Sequence, residues 1–351
     1  MDFNRLKLLL IENGEPQYRF SQIVSEVCSG KIDSFEQLFT IPQILRNKLS
    51  SSISLISLTK HTVNISSTKK AYKALLKLKD GNLIETVLLN PTPNLWSVCL
   101  SCQAGCAMGC AFCATGQQGL KRNLTSEEIC DQILFWKQYI NQNKLKIRIS
   151  NVVYMGMGEP LLNQENVFES IRWLIDENLY VLGQRHISVS TCGIIPGIEA
   201  FTKQNWQVNL AISLHASNDK LRTQLMPIAK QYSLSQLLDC IKTYLVKTNR
   251  QIFIEYIMLY KVNDMDSCAL ELGNLCKQNF SNLMHLVHVN LIPYNSTGGE
   301  FVSSDAKQMG RFSSILNQFH INSTIRQSLG QDIFGACGQL KGKIVKDLNQ
   351  F

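Results

Sequence analysis

The chain has 351 residues, 45% of them apolar and 18% charged, a composition with room for one large α/β domain and a smaller attachment. A formal net charge of +8 permits an acidic macromolecular partner such as RNA without requiring one. The first apolar run ends at Glu12, too soon for a secretory signal, and no segment approaches the eighteen apolar residues of a membrane span. A cytoplasmic protein is therefore expected, in a reducing compartment where twelve cysteines do not build a disulfide framework.

Residues 1–60 read as helical, with breaks at Gly14–Pro16 and Ile41-Pro42; one helix is expected to end before Pro42 and another to follow it. Residues 61–95 read as a linker and β extension. There the lysine-rich stretch STKKAYKALLKLKDGN passes through the turn signal Asp80-Gly81 into one strand, LIETVLL. From Trp96 to about residue 300, short apolar strands alternate with longer helical stretches. Strands are expected at 96–101, 149–156, 186–191, 208–215, 252–259 and 286–293, with 320–327 as an added edge.

Helices are expected at 124–140, where Thr125, Ser126, Glu127 and Glu128 supply helix-start chemistry, and at 233–248. Six βα units are too few for a closed eight-unit barrel, so the fold class is α/β, an open partial (β/α)6 barrel. Its ligand groups belong on loops at the C-terminal strand ends. Polar clusters at 156–160, 190–193, 213–215 and 293–295 sit there. Residues 301–351 form a C-terminal segment. Cys28, Cys130, Cys240, Cys268 and Cys276 lie in helix-like stretches and read as small buried hydrophobes.

The stretch CQAGCAMGCAFCATG, from Cys102, is different. Cys106, Cys110 and Cys113 form a C-x3-C-x2-C triad among glycines and alanines, directly after the strand at 96–101. Zinc would accept the three sulfurs with Cys102 or Cys99 as a fourth. A [4Fe–4S] cluster would accept three and leave one iron open. The second C-x2-C knuckle usual in structural zinc sites does not occur.

The triad, with Phe112 before its last cysteine, resembles the cluster motif of the radical S-adenosylmethionine (SAM) enzymes. The resemblance covers roughly residues 15–340 and points to the branch that methylates adenine in RNA. It is carried by IETV at 84–87, CLSCQAGCAMGCAFCATGQQGLKRNLT at 99–125, GMGEPLLN at 156–163, SVSTCGIIPGI at 188–198, AISLHASNDKLR at 211–222, MPI at 226–228 and DIFGACGQL at 332–340. It implies a radical SAM barrel with a small N-terminal RNA-engaging domain. It also implies a [4Fe–4S] cluster on Cys106, Cys110 and Cys113, and SAM held by Gly158, Glu159, Ser190, Ser213, His215 and Asn295. Met157 is expected to line the same rim, and His215 to act as a hydrogen-bonding partner, not an acid or base.

A ring carbon at C2 or C8 of adenine is too weak a nucleophile to attack SAM. The resemblance implies that Cys337 is methylated first. A second SAM, cleaved reductively, then yields a 5′-deoxyadenosyl radical that activates the cysteine-bound methyl for addition to the ring. Glu85 matches the family's proton acceptor, and Cys99 the cysteine that forms a disulfide with Cys337 to release the RNA. Implied partners are 23S ribosomal RNA, transfer RNA for the C2 subgroup, and a one-electron reductant such as flavodoxin or ferredoxin; the expected state is a monomer. The expected carbon is C2, with C8 methylation and antibiotic resistance as the alternative. A non-catalytic RNA binder would need none of Cys99, Glu85 and Cys337.

Some positions depart from the family pattern: Cys102 stands where serine is usual, Lys261 where glycine is usual, and Phe334-Gly335 replace an acidic residue and alanine. Lys69, Lys70, Lys73, Lys77 and Lys79, with Lys121 and Arg122, are the basic residues that RNA phosphates would meet.

Overall fold

The computed structural model describes residues 1–342. Three helices open the chain, α1 (Phe3–Glu12), α2 (Tyr18–Ser29) and α3 (Gln43–Ser52). Where a helix is expected ahead of Pro42, only a 3₁₀ turn forms, at Phe35–Gln37. Phe35, Leu38 and Ile41 are all buried, a spacing of three that suits the tighter turn, and the residue before a proline disfavours helix.

The extension holds more strands than the sequence reading allows. Strands β1 (Thr59–Ile65), β2 (Ala71–Lys77), β3 (Leu83–Thr92) and β4 (Leu95–Cys99) form an antiparallel meander. In β2 the even positions Tyr72, Ala74 and Leu76 join the apolar core, and the odd positions Ala71, Lys73 and Leu75 are also buried. Gly330 sits so close to the Ala71 side chain that a Cβ there would lie 2.9 Å from it, so the C-terminal segment covers that second face.

After β4 come a small hairpin, β5 (Gln103–Cys106) and β6 (Gly119–Asn123), then α4 (Ser126–Gln142), β7 (Ile149–Tyr154), α5 (Gln164–Ile175) and β8 (Ile187–Thr191). The chain continues through α6 (Ile195–Thr202), β9 (Asn209–Ser213), α7 (Asp219–Leu225), α8 (Leu234–Thr248), β10 (Ile252–Met258) and α9 (Asp266–Phe280). It closes with β11 (Val287–Pro293), α10 (Ala306–Gln318) and β12 (Asn322–Ile325). One sheet runs β1-β2-β3-β4-β7-β8-β9-β10-β11-β12, parallel from β4 onward. Strands β4 and β7–β11 are the six expected units, and β12 is the added edge.

Capping fixes where the helices begin. Thr125 and Glu128 exchange hydrogen bonds in a capping box at α4, and Ser233 and Gln236 do the same at α8. The five isolated cysteines are buried, as expected of small hydrophobes. Among the described residues no helix is long and apolar enough to cross a membrane.

Candidate active site

The C-terminal ends of the parallel strands surround a cleft of about 920 Å³, open mouth included. Its walls carry Cys106, Cys110, Cys113, Gly158, Glu159, Ser190, Ser213, His215 and Cys337. One concavity thus gathers the triad, most of the expected SAM residues and the C-terminal cysteine.

The triad rides on the β5–β6 hairpin. Gly105, at φ +80°, lies where a Cβ would be 2.0 Å from the Gly119 carbonyl oxygen, so only glycine lets the two strands close. The hairpin is pinned from both sides. Cys102 and Gln103 donate their N–H groups to the Met157 carbonyl at 2.9 and 3.1 Å, and Asn163 Nδ2 donates to the Cys102 carbonyl at 2.8 Å. Burial pushes the Cys106 thiol up to about 12, opposed by the Met108 N–H, and burial also raises Cys113, opposed by the Gly116 and Thr115 N–H groups. Three thiols on one cleft, two of them with N–H groups aimed at sulfur, form a donor set that fits a thiophilic metal group. Among the described residues no three His, Cys, Asp or Glu side chains already stand in metal-holding arrangement.

Glu159 is buried. Its two carboxylate oxygens accept from Leu161 N at 2.9 Å and Cys192 N at 2.7 Å, and desolvation holds its pKa above the ordinary value. Gly158 is at φ +104°, and a Cβ there would lie 2.6 Å from the Gln103 Cβ. His215 Nδ1 accepts from Ile257 N at 3.0 Å, which leaves the proton on Nε2. Desolvation, with Arg222 adding to it, pulls the His215 pKa down to about 3. The imidazole is therefore neutral, with its Nε2–H available as a donor.

Asn295 and Met157 do not line this cleft. Asn295 Nδ2 donates to the Cys337 carbonyl at 3.1 Å and its Oδ1 accepts from Gln331 at 2.7 Å, so the side chain holds the loop of the C-terminal cysteine. It lines a second cavity of about 1480 Å³, open mouth included. The Met157 sulfur accepts from Glu85 N at 3.4 Å, behind the wall of the cleft. The second cavity also carries Cys99 and Cys337, and Cys337 stands on the wall common to both. All twelve cysteines are free thiols; Cys337 is exposed, whereas Cys99 is buried, and burial, with Cys337 adding to it, raises the Cys99 thiol above its ordinary value.

Glu85 lines neither cavity. Its Oε1 pairs with Lys73 Nζ at 2.7 Å, and its Oε2 accepts from Lys341 N at 2.6 Å and Gly342 N at 2.9 Å. Two expected phosphate contacts are also engaged internally. Lys73 is buried on Glu85, and Arg122 forms a fork with Glu128 at 2.7 and 2.8 Å and pairs with Asp80. Lys69, Lys70, Lys77, Lys79 and Lys121 remain exposed.

One residue escaped the sequence reading. Glu255 is buried on β10, lines both cavities, and accepts from Asn290 Nδ2 at 2.8 Å. Burial raises its pKa. The available signal was a carboxylate inside the apolar strand IFIEYIML, in register with Asn290 of β11. Lys261 has φ +55°, which explains the glycine usual at that position, and Phe334 has φ +51°.

Residues 100–269 match the model of the radical SAM superfamily. The chain is 39% identical to the ribosomal RNA large subunit methyltransferase Cfr of Clostridium botulinum, over 96% of each sequence. It is 40% identical to the probable dual-specificity RNA methyltransferase RlmN of Clostridium tetani, over 97% of this chain and 95% of that one. A radical SAM methyltransferase structure from Sphaerobacter thermophilus superimposes with a TM-score of 0.91 at 36% identity, covering 98% of both chains. The chain belongs to the family of radical SAM methyltransferases that includes the Cfr and RlmN proteins.

Proposed function

We propose that the chain methylates C2 of an adenine in 23S ribosomal RNA, and in transfer RNA, with Cys337 as the methyl carrier. The observation that carries this reading is the place of Cys337 on the wall between two cavities. One holds the triad, Glu159 and His215, and the other holds Cys99. A carrier must face a methyl source on one side and its acceptor and resolving partner on the other.

In this reading Cys106, Cys110 and Cys113 hold a [4Fe–4S] cluster, and Gly158, Glu159, Ser190, Ser213 and His215 hold SAM. Asn295 contributes from the Cys337 loop. Cluster and SAM together would supply hydrogen-atom abstraction. The chain's own groups do the rest. Glu159, buried with its oxygens fixed by backbone N–H groups, receives the methionine ammonium; charge compensation there restores its ionised form. His215 Nε2–H donates into the cleft. Cys337 sulfur forms a bond to the methyl of SAM as the sulfonium C–S bond breaks, and later presents that carbon to the ring. Glu85 accepts the ring proton, and the unpaired electron left on the adduct would return to the group held by the triad, which so regains the electron the reductant lent it. Cys99 attacks the Cys337 sulfur: the S–S bond forms, and the carbon leaves with its bonding pair and takes a proton.

The helical residues 1–60 and the exposed lysines engage the RNA. A flavodoxin or ferredoxin supplies the electron to a monomeric cytoplasmic enzyme. A C8 product is the second reading, since identity to Cfr and to RlmN is nearly equal, 39% and 40%.

The test is mass spectrometry of adenosines from ribosomal RNA of a host without enzymes of this family, expressing wild type or Cys337→Ala. A 2-methyladenosine confined to wild type is expected. 8-Methyladenosine establishes the second reading, and no new methyladenosine from cluster-loaded protein refutes both.

A further inference from the structure

We infer that Lys73 is a positioning residue that, with Glu85, clasps the Cys337 loop at both its ends. The inference deepens the function proposed above and rests on it for the purpose of that loop. Strands β2 and β3 pair Lys73 with Val87 and Leu75 with Glu85, so Lys73 and Glu85 are diagonal neighbours on the face covered by the C-terminal segment. Both are buried, at 4% and 2% exposure, and joined at 2.7 Å. Lys73 Nζ also donates to the Phe334 carbonyl at 3.2 Å, three residues before Cys337. The free oxygen of the Glu85 pair, Oε2, accepts from Lys341 N and Gly342 N, four and five residues after it.

A buried ion pair is weak as a stabilising device, because an apolar pair of similar size does as well. What an apolar pair cannot do is offer charge-assisted hydrogen bonds to three backbone groups on either side of a loop. The seat of the loop is correspondingly close. At Gly342, with φ +59°, a Cβ would lie 2.7 Å from the Leu83 carbonyl oxygen and 2.8 Å from Met157 Cε, so the docked segment admits only glycine. Between the two ends, Ala114 N donates to the Gly338 carbonyl at 2.8 Å and Thr115 Oγ1 to the Leu340 carbonyl at 2.6 Å, which sets Cys337 against the triad. While the clasp is closed both Glu85 oxygens are engaged. Holding the loop and accepting a proton are then alternate states of one carboxylate, and Lys73 sets the balance between them.

The experiment uses reconstituted holoenzyme and follows the rate of Cys337 alkylation by iodoacetamide, read on its own peptide, in wild type, Lys73→Met, Lys73→Arg, Glu85→Gln and Gly342→Ala. Melting curves check that each variant is folded. Alkylation about tenfold faster is expected in Lys73→Met, the effect of losing one charge-assisted contact, with return toward wild type in Lys73→Arg; Gly342→Ala, which unseats the loop by a clash, is the positive control. Lys73→Met should also lower kcat for RNA methylation and leave KM for RNA unchanged. Unchanged alkylation in a folded Lys73→Met overturns the clasp, and so does a rise in KM alone, which would place Lys73 on the RNA surface. If Lys73→Met does not fold, Glu85→Gln decides the matter in the alkylation arm, because it removes the charge from the clasp while keeping an oxygen for the Lys341 and Gly342 N–H groups; unchanged alkylation in that variant overturns the clasp. The alkylation arm needs no RNA; failure of wild type to methylate adenine refutes the function and leaves this measurement intact.

Discussion

His215 gives the clearest link between burial and a measurable pH dependence. Its side chain is buried, its Nδ1 accepts the Ile257 N–H at 3.0 Å, and its pKa is lowered to about 3, by desolvation first and Arg222 second. In the unfolded chain the imidazole titrates near its ordinary value, about 6.5. Between those two values the unfolded state binds a proton that the folded state refuses, so stability falls as pH falls. At pH 5, roughly 1.5 units below the unfolded value, the loss relative to pH 7 is about 2 kcal/mol at about 1.4 kcal/mol per unit. His215→Asn is the informative variant. Asparagine tolerates the residue's φ of +61°, its Oδ1 can take the Ile257 N–H, and it does not titrate. Urea unfolding of both proteins at pH 7 and pH 5 should show wild type losing about 2 kcal/mol more than the variant. Equal losses would mean that the imidazole is solvated or already charged in the fold, and the argument for its neutral donor role would go with it.

Three further outcomes test other parts of the site. Gly156→Ala places a Cβ 2.6 Å from the Leu100 carbonyl oxygen and 2.8 Å from Ser101 N, backbone that cannot swing aside. It should cost about 1–3 kcal/mol in denaturant unfolding and weaken SAM binding by calorimetry. Lys69→Ala with Lys70→Ala should weaken RNA binding and reduce the slope of log K against log salt by about 2, whereas Arg122→Ala, whose charge is already spent on Glu128 and Asp80, should leave that slope unchanged. Cys99→Ala should accumulate protein covalently joined to RNA through Cys337, visible as a ribonuclease-sensitive band on a denaturing gel. Normal release from that variant would remove Cys99 from the reaction.

The parallel part of the fold was legible because its signals are local. Each barrel strand is a short apolar run, and the Thr125–Glu128 and Ser233–Gln236 capping boxes mark helix starts within four residues. The grouping of residues around the cleft was legible for a related reason: strand-end clusters such as Gly158-Glu159 and Ser213–His215 must face one place in a partial barrel. Two strands of the antiparallel extension, β1 and β2, were missed although Tyr72, Ala74, Leu76 and Leu78 alternate with Lys73, Lys77 and Lys79. A run of lysines reads as solvated surface, and only the tertiary structure shows that Lys73 is covered.

The same limit governs Glu85 and Cys337. Their positions could be matched to a family, but sequence spacing carries no sign that the ends of the Cys337 loop close on the Glu85 and Lys73 side chains, since those contacts span more than 250 residues of chain. Local patterns therefore single out candidate groups for the chemistry. Whether a group such as Glu85 is free to do it depends on partners brought from the far end of the chain. In the proposed cycle, a carboxylate with both oxygens engaged on Lys73 and the Cys337 loop must release that loop before it takes the ring proton, so loop release and proton transfer are ordered events.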